Sequence, residues 1–435
     1  LIVDAFLGTG VTRPIEGQLK DILTTVRAEI QTLRSREPEL VSPAHPAARP
    51  PMPRVAAVDL PSGLNPDTGA LDPAALPADL TVTFALPKVG QYAFPGAAAV
   101  GELIIADIGI RREWASDVPL EVATGDEIRA LLLARPRESN KGTFGKAMIA
   151  CGSTDFTGAP RLAAAAAGRV GAGLVTLAVP RTIHPIVAST LNEATYLPLH
   201  DDGGAWSPEA VAPLLDRARD YSALLVGCGF GRAPSTEEFV SGLIVKAENI
   251  APGVVIDADA LNALAEKPDL LKAAHFSAPP VLTPHPGEMA RLAGSSIADV
   301  QQDRVGAATH HARECNAIVV LKGAFTVVAS PDGRAVLLPF ADAALATAGT
   351  GDVLAGAIAG FLAQYRAALE KARREDAGST STAAFNAALV GGYIHGLAGQ
   401  LAGSEIGLTG VVAGDLVPRL PDAIWVAAGG EVTST

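Results

Sequence analysis

Short apolar runs alternate with longer polar or glycine-rich stretches along this chain. In the first 110 residues the runs fall at 1–3, 55–58, 80–84 and 103–106, each ending at a polar or glycine-rich turn. That rhythm predicts a parallel sheet with covering helices. Residues 18–36 read as a helix, and 38–53, rich in proline and alanine, as a surface insertion. Over 111–137 charged residues take over, with one short amphipathic segment at 125–133, so a domain boundary is placed near residue 115. From Lys146 a second series begins, with strand-like runs at 147–150, 174–179, 223–226, 254–256, 281–282, 318–321 and 325–328. Helical stretches at 159–169, 287–292 and 303–315 lie between them. Two α/β domains are expected, 1–115 and 116–430, the second a mostly parallel sheet between helices. Ligands of such sheets sit at the carboxyl ends of the strands, so the chemistry is sought in the turns that follow them.

Composition narrows this picture. At roughly 150 residues per domain, 435 residues allow two or three domains. With 49% hydrophobic and 18% charged residues, large buried cores are available and wholesale disorder is excluded. A net charge of −12 argues against a nucleic-acid partner. It leaves phosphate ligands open, because backbone N–H groups at helix N-termini hold them without nearby Lys or Arg. Cys151, Cys228 and Cys315 are few, odd in number and far apart, which favours a reducing compartment over a disulfide framework. The alanine-rich runs 157–179 and 343–363 carry Arg161, Arg169 and Asp352 and do not read as membrane spans. The expectation is a soluble, cytoplasmic protein without a membrane partner. Leu1 to Asp4 already read as the end of a buried strand, so part of the first domain is expected to lie ahead of Leu1.

The most informative segment runs Thr347-Ala348-Gly349-Thr350-Gly351-Asp352 and opens a helix of small apolar residues. A glycine turn at a helix N-terminus presents unpaired N–H groups and the positive dipole end, which suits a phosphate. A carboxylate there is placed to take a proton from a hydroxyl during phosphoryl transfer; the alternative is a plain N-cap. Lys322-Gly323-Ala324-Phe325-Thr326 follows a buried strand, where the lysine can reach a phosphate or belong to a simple hairpin turn. In Thr283-Pro284-His285-Pro286-Gly287-Glu288 the prolines fix a turn around an imidazole, which is a ligand contact or a satisfied helix cap. Glycine turns at 140–145, 152–159 and 227–231 border the same rim. Asp257 and Asp259 add two carboxylates where Mg²⁺ and phosphate can lie, unless Asp259 caps the next helix.

In the first domain, Asp4 precedes a turn of Gly8, Thr9, Gly10, Val11, Thr12, Arg13 and Pro14 that can cradle a phosphate. Asp59 and Ser62 follow a second strand and offer oxygens to a monovalent cation or a ribose. Ordinary strand-to-helix loops are the alternative for both.

Taken in order, KGTFG, VIDADALN, TPHPGE, LKGAFT and TAGTGDVLAG resemble the ribokinase-like superfamily, and within it the ADP/ATP-dependent NAD(P)H-hydrate dehydratases, over about 137–420. The first-domain turns, followed by Thr83 to Lys88, resemble the NAD(P)H-hydrate epimerase domain, a Rossmann-like three-layer fold often fused ahead of the dehydratase. The resemblance implies repair of hydrated NADH or NADPH. Phosphorylation of the S hydrate from ADP or ATP with Mg²⁺, then loss of phosphate, restores the dinucleotide, while the first domain interconverts R and S hydrates with K⁺. By the same resemblance Asp352 is the base at the hydrate hydroxyl, with Gly349 and Gly351 near the anion. Lys322, Gly323, Ala324, Phe325 and Thr326 belong to the nucleotide segment, and Ala159, Gly229 and His285 contact the hydrate. In the first domain Asp4 and Ser62 are implied potassium ligands, Gly8 to Pro14 hydrate contacts, and Asp59 the acid–base group. Two departures stand out. Cys228 and Phe230 lie in GCGFG where the family more often reads GPGLG, and the family's Asn-Gly-Gly-Asp-Gly loop would lie before Leu1. The stretch 31–53 is also longer than the family pattern. A homo-oligomer is expected. A small-molecule kinase of the same superfamily, acting on a vitamin or sugar alcohol, is the alternative, and a non-catalytic nucleotide-binding protein the third reading.

Overall fold

The computed structural model describes residues 1–10, 13–35, 53–115, 118–250, 252–372 and 376–431. They form two compact units, Leu1–Asp117 and Val118–Thr435.

The first unit holds four parallel strands in the order β1 (Ile2–Asp4), β2 (Val55–Val58), β3 (Leu80–Phe84) and β4 (Glu102–Ala106). The helix Gly17–Ser35 links β1 towards β2. Its Leu19, Leu23, Val26 and Ile30 recur at helical spacing and pack with Val55 and Ala57. Residues 36–52, most of the proline-rich segment, lie outside the described residues, as do Val11 and Thr12.

The second unit is built on a ten-stranded sheet. Its strands in chain order are β5 (Leu120–Val122), β6 (Lys146–Ala150), β7 (Leu174–Pro180) and β8 (Thr195–Leu199). The pair β9 (Asp201–Asp202) and β10 (Ala205–Trp206) forms a separate hairpin. The sheet continues with β11 (Ala223–Val226), β12 (Gly253–Ile256), β13 (Val281–Leu282), β14 (Ile318–Leu321), β15 (Val327–Ala329) and β16 (Ala335–Leu337). The spatial order is β5-β16-β15-β14-β13-β12-β11-β6-β7-β8. From β14 to β8 every pair is parallel, whereas β15 runs antiparallel to both neighbours. The central strands are fully buried, as expected where helices cover both faces.

Two long helices, Thr350–Ala372 and Ala377–Ile406, complete the core. Their glycines explain the small-residue composition. A Cβ on Gly356 would meet the Ala163 carbonyl oxygen at 2.1 Å, and one on Gly391 would meet Ile358 at 2.7 Å. Among the described residues no helix is long and apolar enough to cross a membrane.

Several boundaries differ from the sequence pattern. The run at 325–328 becomes a strand only from Val327, because Gly323 (φ 138°) and Phe325 (φ 53°) take left-handed conformations that an extended strand cannot hold. Strands β5, β8 and β16 went unread: β5 and β16 are three residues each, and β5 lies inside the charged stretch. These elements are set by pairing with neighbours rather than by local pattern.

Candidate active site

The carboxyl ends of β6, β11, β12, β13 and β14 converge beneath the first turn of the helix Thr350–Ala372. At the centre stands Lys322, directly after β14. Its Nζ donates to Asp257 Oδ1 at 2.9 Å and lies 3.6 Å from Glu288 Oε2. Burial alone would lower the lysine's pKa, but Asp257 and Glu288 outweigh it and hold the pKa above its ordinary value. Asp257 also accepts from Thr283 Oγ1 at 2.6 Å and from the Cys228 thiol at 3.3 Å. Its carboxylate is thereby fixed from three strand ends at once.

Asp352 lies in the first turn of its helix. Burial pushes its carboxyl up to about 7, and the neighbouring Asp257 charge adds to the effect; a hydrogen bond with Cys228 and the Lys322 charge oppose it. A carboxylate poised near neutrality inside a cleft has the property a general base requires. Gly349, at φ 89°, makes the turn: a Cβ there would lie 2.8 Å from Leu162. A Cβ on Gly351 would come within 3.5 Å of Lys322 Nζ, which places the glycine turn beside the cation. The glycine turn, the Lys322 ammonium and the Asp352 carboxyl are thus gathered at one point.

The other rim residues fall around this centre. Gly229 and Ala159 adjoin, since a Cβ on Gly229 would meet that of Ala159 at 2.8 Å. His285 takes the helix-cap role that was one of its two sequence readings. Its Nδ1 caps the helix Pro286–Ala293 by accepting from Gly287 N at 3.0 Å and Glu288 N at 3.4 Å. Its Nε2 then carries the proton in the neutral ring, 3.3 Å from Glu288 Oε1, and half of the side chain remains exposed. Burial, then Lys322 and Arg291, lower the pKa of His285, while burial raises that of Glu288. In the segment Lys322 to Thr326, Gly323 and Ala324 are exposed, Thr326 Oγ1 donates to Gly323 O at 2.9 Å, and Phe325 N donates to Phe340 O at 2.7 Å.

Asp259 turns away from this centre. It accepts from Gly231 N at 2.9 Å and Asn262 Nδ2 at 3.5 Å, whereas Asp257 groups with Cys228 and Asp352, their donor atoms all within 4.8 Å. A trio containing a thiol does not fit direct coordination of Mg²⁺, which prefers oxygen.

Three contributors escaped sequence reasoning. Cys228 looked like a neutral departure, yet its thiol lies between the two carboxylates. Arg304 Nη2 donates to the carbonyls of Leu321 (3.0 Å) and Lys322 (3.2 Å), gripping the lysine's turn, and burial lowers its pKa to about 10. His395 bonds the first helical turn from 45 residues downstream. Arg304 and His395 carry no local motif, so no sequence signal marked them, whereas Cys228 was marked only as a departure from the family's glycine turn.

The first unit has a separate polar cluster. Asp4 and Ser62 are both buried, with Ser62 Oγ donating to Asp4 Oδ1 at 2.5 Å and Ser62 N to Asp4 Oδ2 at 2.8 Å. These bonds tie the end of β1 to the turn that follows β2. Asp59, at φ 66°, accepts from Lys88 Nζ at 2.5 Å, Thr83 Oγ1 at 3.1 Å and Phe84 N at 3.1 Å. Burial raises its pKa, but these three donors prevail and leave it lowered. Gly8 and Gly10 have open space where a Cβ would sit, and Arg13 and Pro14 are exposed.

The second unit is a ribokinase-like α/β domain. It shares that fold with a ribokinase-like superfamily protein of Enterococcus faecalis, 22% identical, at a TM-score of 0.57 over 72% of this chain and 97% of that one. A family model described as NAD(P)H-hydrate dehydratase matches residues 147–422, and one described as YjeF-related protein N-terminus matches 1–90. The bifunctional NAD(P)H-hydrate repair enzymes of Moorella thermoacetica and Salinibacter ruber are each 39% identical to the chain over 97% of its length, covering 72% and 71% of theirs. The ADP/ATP-dependent NAD(P)H-hydrate dehydratase of Bacillus subtilis, co-crystallised with ATP/Mg²⁺, is 30% identical with a TM-score of 0.57, over 71% of this chain and 98% of that one. The chain belongs to the family of bifunctional NAD(P)H-hydrate repair enzymes.

Proposed function

We propose that the second unit dehydrates the S form of NADH or NADPH hydrate, using ADP or ATP as phosphoryl donor. The observation that carries this reading is Asp352, a half-buried carboxyl whose desolvation holds it near 7 at a helix N-terminus, with Lys322 beside its glycine turn. The N–H groups of Gly349 to Gly351 and the Lys322 ammonium would hold the nucleotide's terminal phosphates, and Mg²⁺ bound with the nucleotide would offset their charge. Lys322 to Thr326 form the nucleotide segment, and Ala159, Gly229 and His285 face the hydrate. Asp352 takes the proton from the ring C6 hydroxyl as its oxygen bonds to the transferred phosphorus and the donor's P–O bond breaks. The C6–O bond then breaks with phosphate as leaving group, a C5 proton is lost, and the ring double bond returns. Hydroxide leaves poorly and phosphate leaves well, which is why phosphorylation comes first.

The first unit carries part of the epimerase arrangement, with Asp4 and Ser62 as potassium ligands, the turn Gly8 to Pro14 and Asp59 at the R or S hydrate, and Asp59 as acid–base group. A reducing compartment suits the three free, buried cysteines. The test supplies ADP or ATP, Mg²⁺ and a mixture of R and S NADH hydrates, and follows recovery of NADH absorbance. Consumption of S hydrate supports the dehydratase reading, and consumption of both epimers supports the epimerase. A stable phosphorylated product without NADH would instead favour the small-molecule kinase.

A further inference from the structure

His395 sits on the helix Ala377–Ile406, and its Nε2 lies 2.9 Å from the backbone carbonyl oxygen of Thr350. A carbonyl only accepts, so Nε2 carries the proton and donates. Burial holds the imidazole pKa down to about 4, so the ring is neutral at physiological pH and keeps this tautomer. Thr350 is the first residue of the helix that carries Asp352, and its own Oγ1 donates back to the carbonyls of Leu345 and Thr347, both at 3.0 Å. The peptide between Gly349 and Asp352 is therefore tied from two sides: by its own hydroxyl to the preceding loop, and by His395 to a neighbouring helix. The other side of the imidazole borders a cavity shared with Gly323, Thr326, Phe340, Gly392 and Gly396.

We infer that His395 is a positioning residue for the reaction: its Nε2–H holds the Thr350 carbonyl and so fixes the direction of the Gly349 to Asp352 turn. This inference rests on the dehydratase reading of Asp352. The ring stands between the nucleotide segment and the turn that bears the base. A displacement of that turn by about 1 Å is enough to cost on the order of 100-fold in rate. The same displacement leaves most nucleotide contacts in place, so its signature is in kcat rather than KM.

The test measures steady-state dehydration of S-NADH hydrate with ADP and Mg²⁺ for the wild-type chain and for His395→Leu, His395→Gln and His395→Asn. Leucine fills the space without a donor, glutamine presents an N–H at comparable reach, and asparagine presents one too short to arrive. Expected are a kcat about 10- to 100-fold lower for the leucine and asparagine variants. KM for ADP and hydrate should stay within about 3-fold, and glutamine should recover kcat to within about 3-fold of wild type. Should the leucine variant fail to fold, the glutamine–asparagine pair decides alone. Equal kcat for that pair, or a leucine variant at wild-type kcat, overturns the inference. An inactive wild-type chain would instead overturn the functional reading beneath it.

Discussion

Two aspartates, one in each unit, stand at the start of a turn or helix: Asp59 directly after β2, Asp352 in the first turn of the helix Thr350–Ala372, and their surroundings send them in opposite directions. Asp59 receives an ammonium, a hydroxyl and a backbone N–H on one oxygen, so it stays ionised below the ordinary carboxylate range. Asp352 is half-buried beside a second carboxylate whose charge is already committed to Lys322, so its own ionisation is postponed to about 7. Burial works to raise both carboxyls; at Asp59 the direct bond from Lys88 and its fellow donors overturns it, whereas at Asp352 the more distant Lys322 opposes it only in part. Lys88 neutralises the functional candidate itself, whereas Lys322 neutralises its neighbour.

The comparison breaks most severely at Asp352. Asp352→Asn is expected to lower dehydration by about 10²- to 10⁴-fold, with ADP affinity by calorimetry kept within about 3-fold. It should also stabilise the fold. The folded-state pKa is raised, so the native protein loses stability as pH rises from the ordinary carboxylate range to about 7. The melting-temperature gain of the asparagine variant should therefore grow over that window and level off above it; a flat gain from pH 4 to 8 contradicts the assignment.

Lys322→Met comes next, with kcat expected to fall about 10- to 100-fold as one charged donor to the anion is lost. The wild-type rate should rise with pH through about 7 as Asp352 ionises, and the variant's rise should shift to higher pH because the opposing cation is gone. An unshifted limb would separate Lys322 from the base. Cys228→Ser should change kcat by no more than about 5-fold, since a hydroxyl can replace the thiol as donor between the carboxylates. The smallest effect on dehydration, within about 2-fold, is expected from Lys88→Met. Its readout is a carboxyl-carbon NMR titration of Asp59, whose midpoint should rise. The stability that ionised Asp59 supplies above the ordinary carboxylate range, lost as pH falls through its lowered pKa, should disappear with it.

The parts of this arrangement that are contiguous in the chain were legible in the sequence. Gly349 to Asp352, the lysine turn at 322 and the proline-framed His285 each advertise a strand end or helix start, because turn chemistry is local. The parts that depend on packing were not. Thr283, Cys228 and Lys322 meet on Asp257 only because β11, β12, β13 and β14 lie side by side. Arg304 and His395 reach in from helices whose sequences announce only a helix. The same limit applied to the fold, where buried parallel strands stood out as apolar runs while the three-residue strands β5 and β16 did not.

The antiparallel strand β15 carries a consequence for the rim of the cleft. Two parallel neighbours require a crossover, usually a helix, whereas β14 and β15 are joined by a short exposed hairpin at 322–326. The run of like-directed strands thus stops at a low sill instead of another roofed connection. On that side the rim of the cleft is built from five residues rather than from a covering helix.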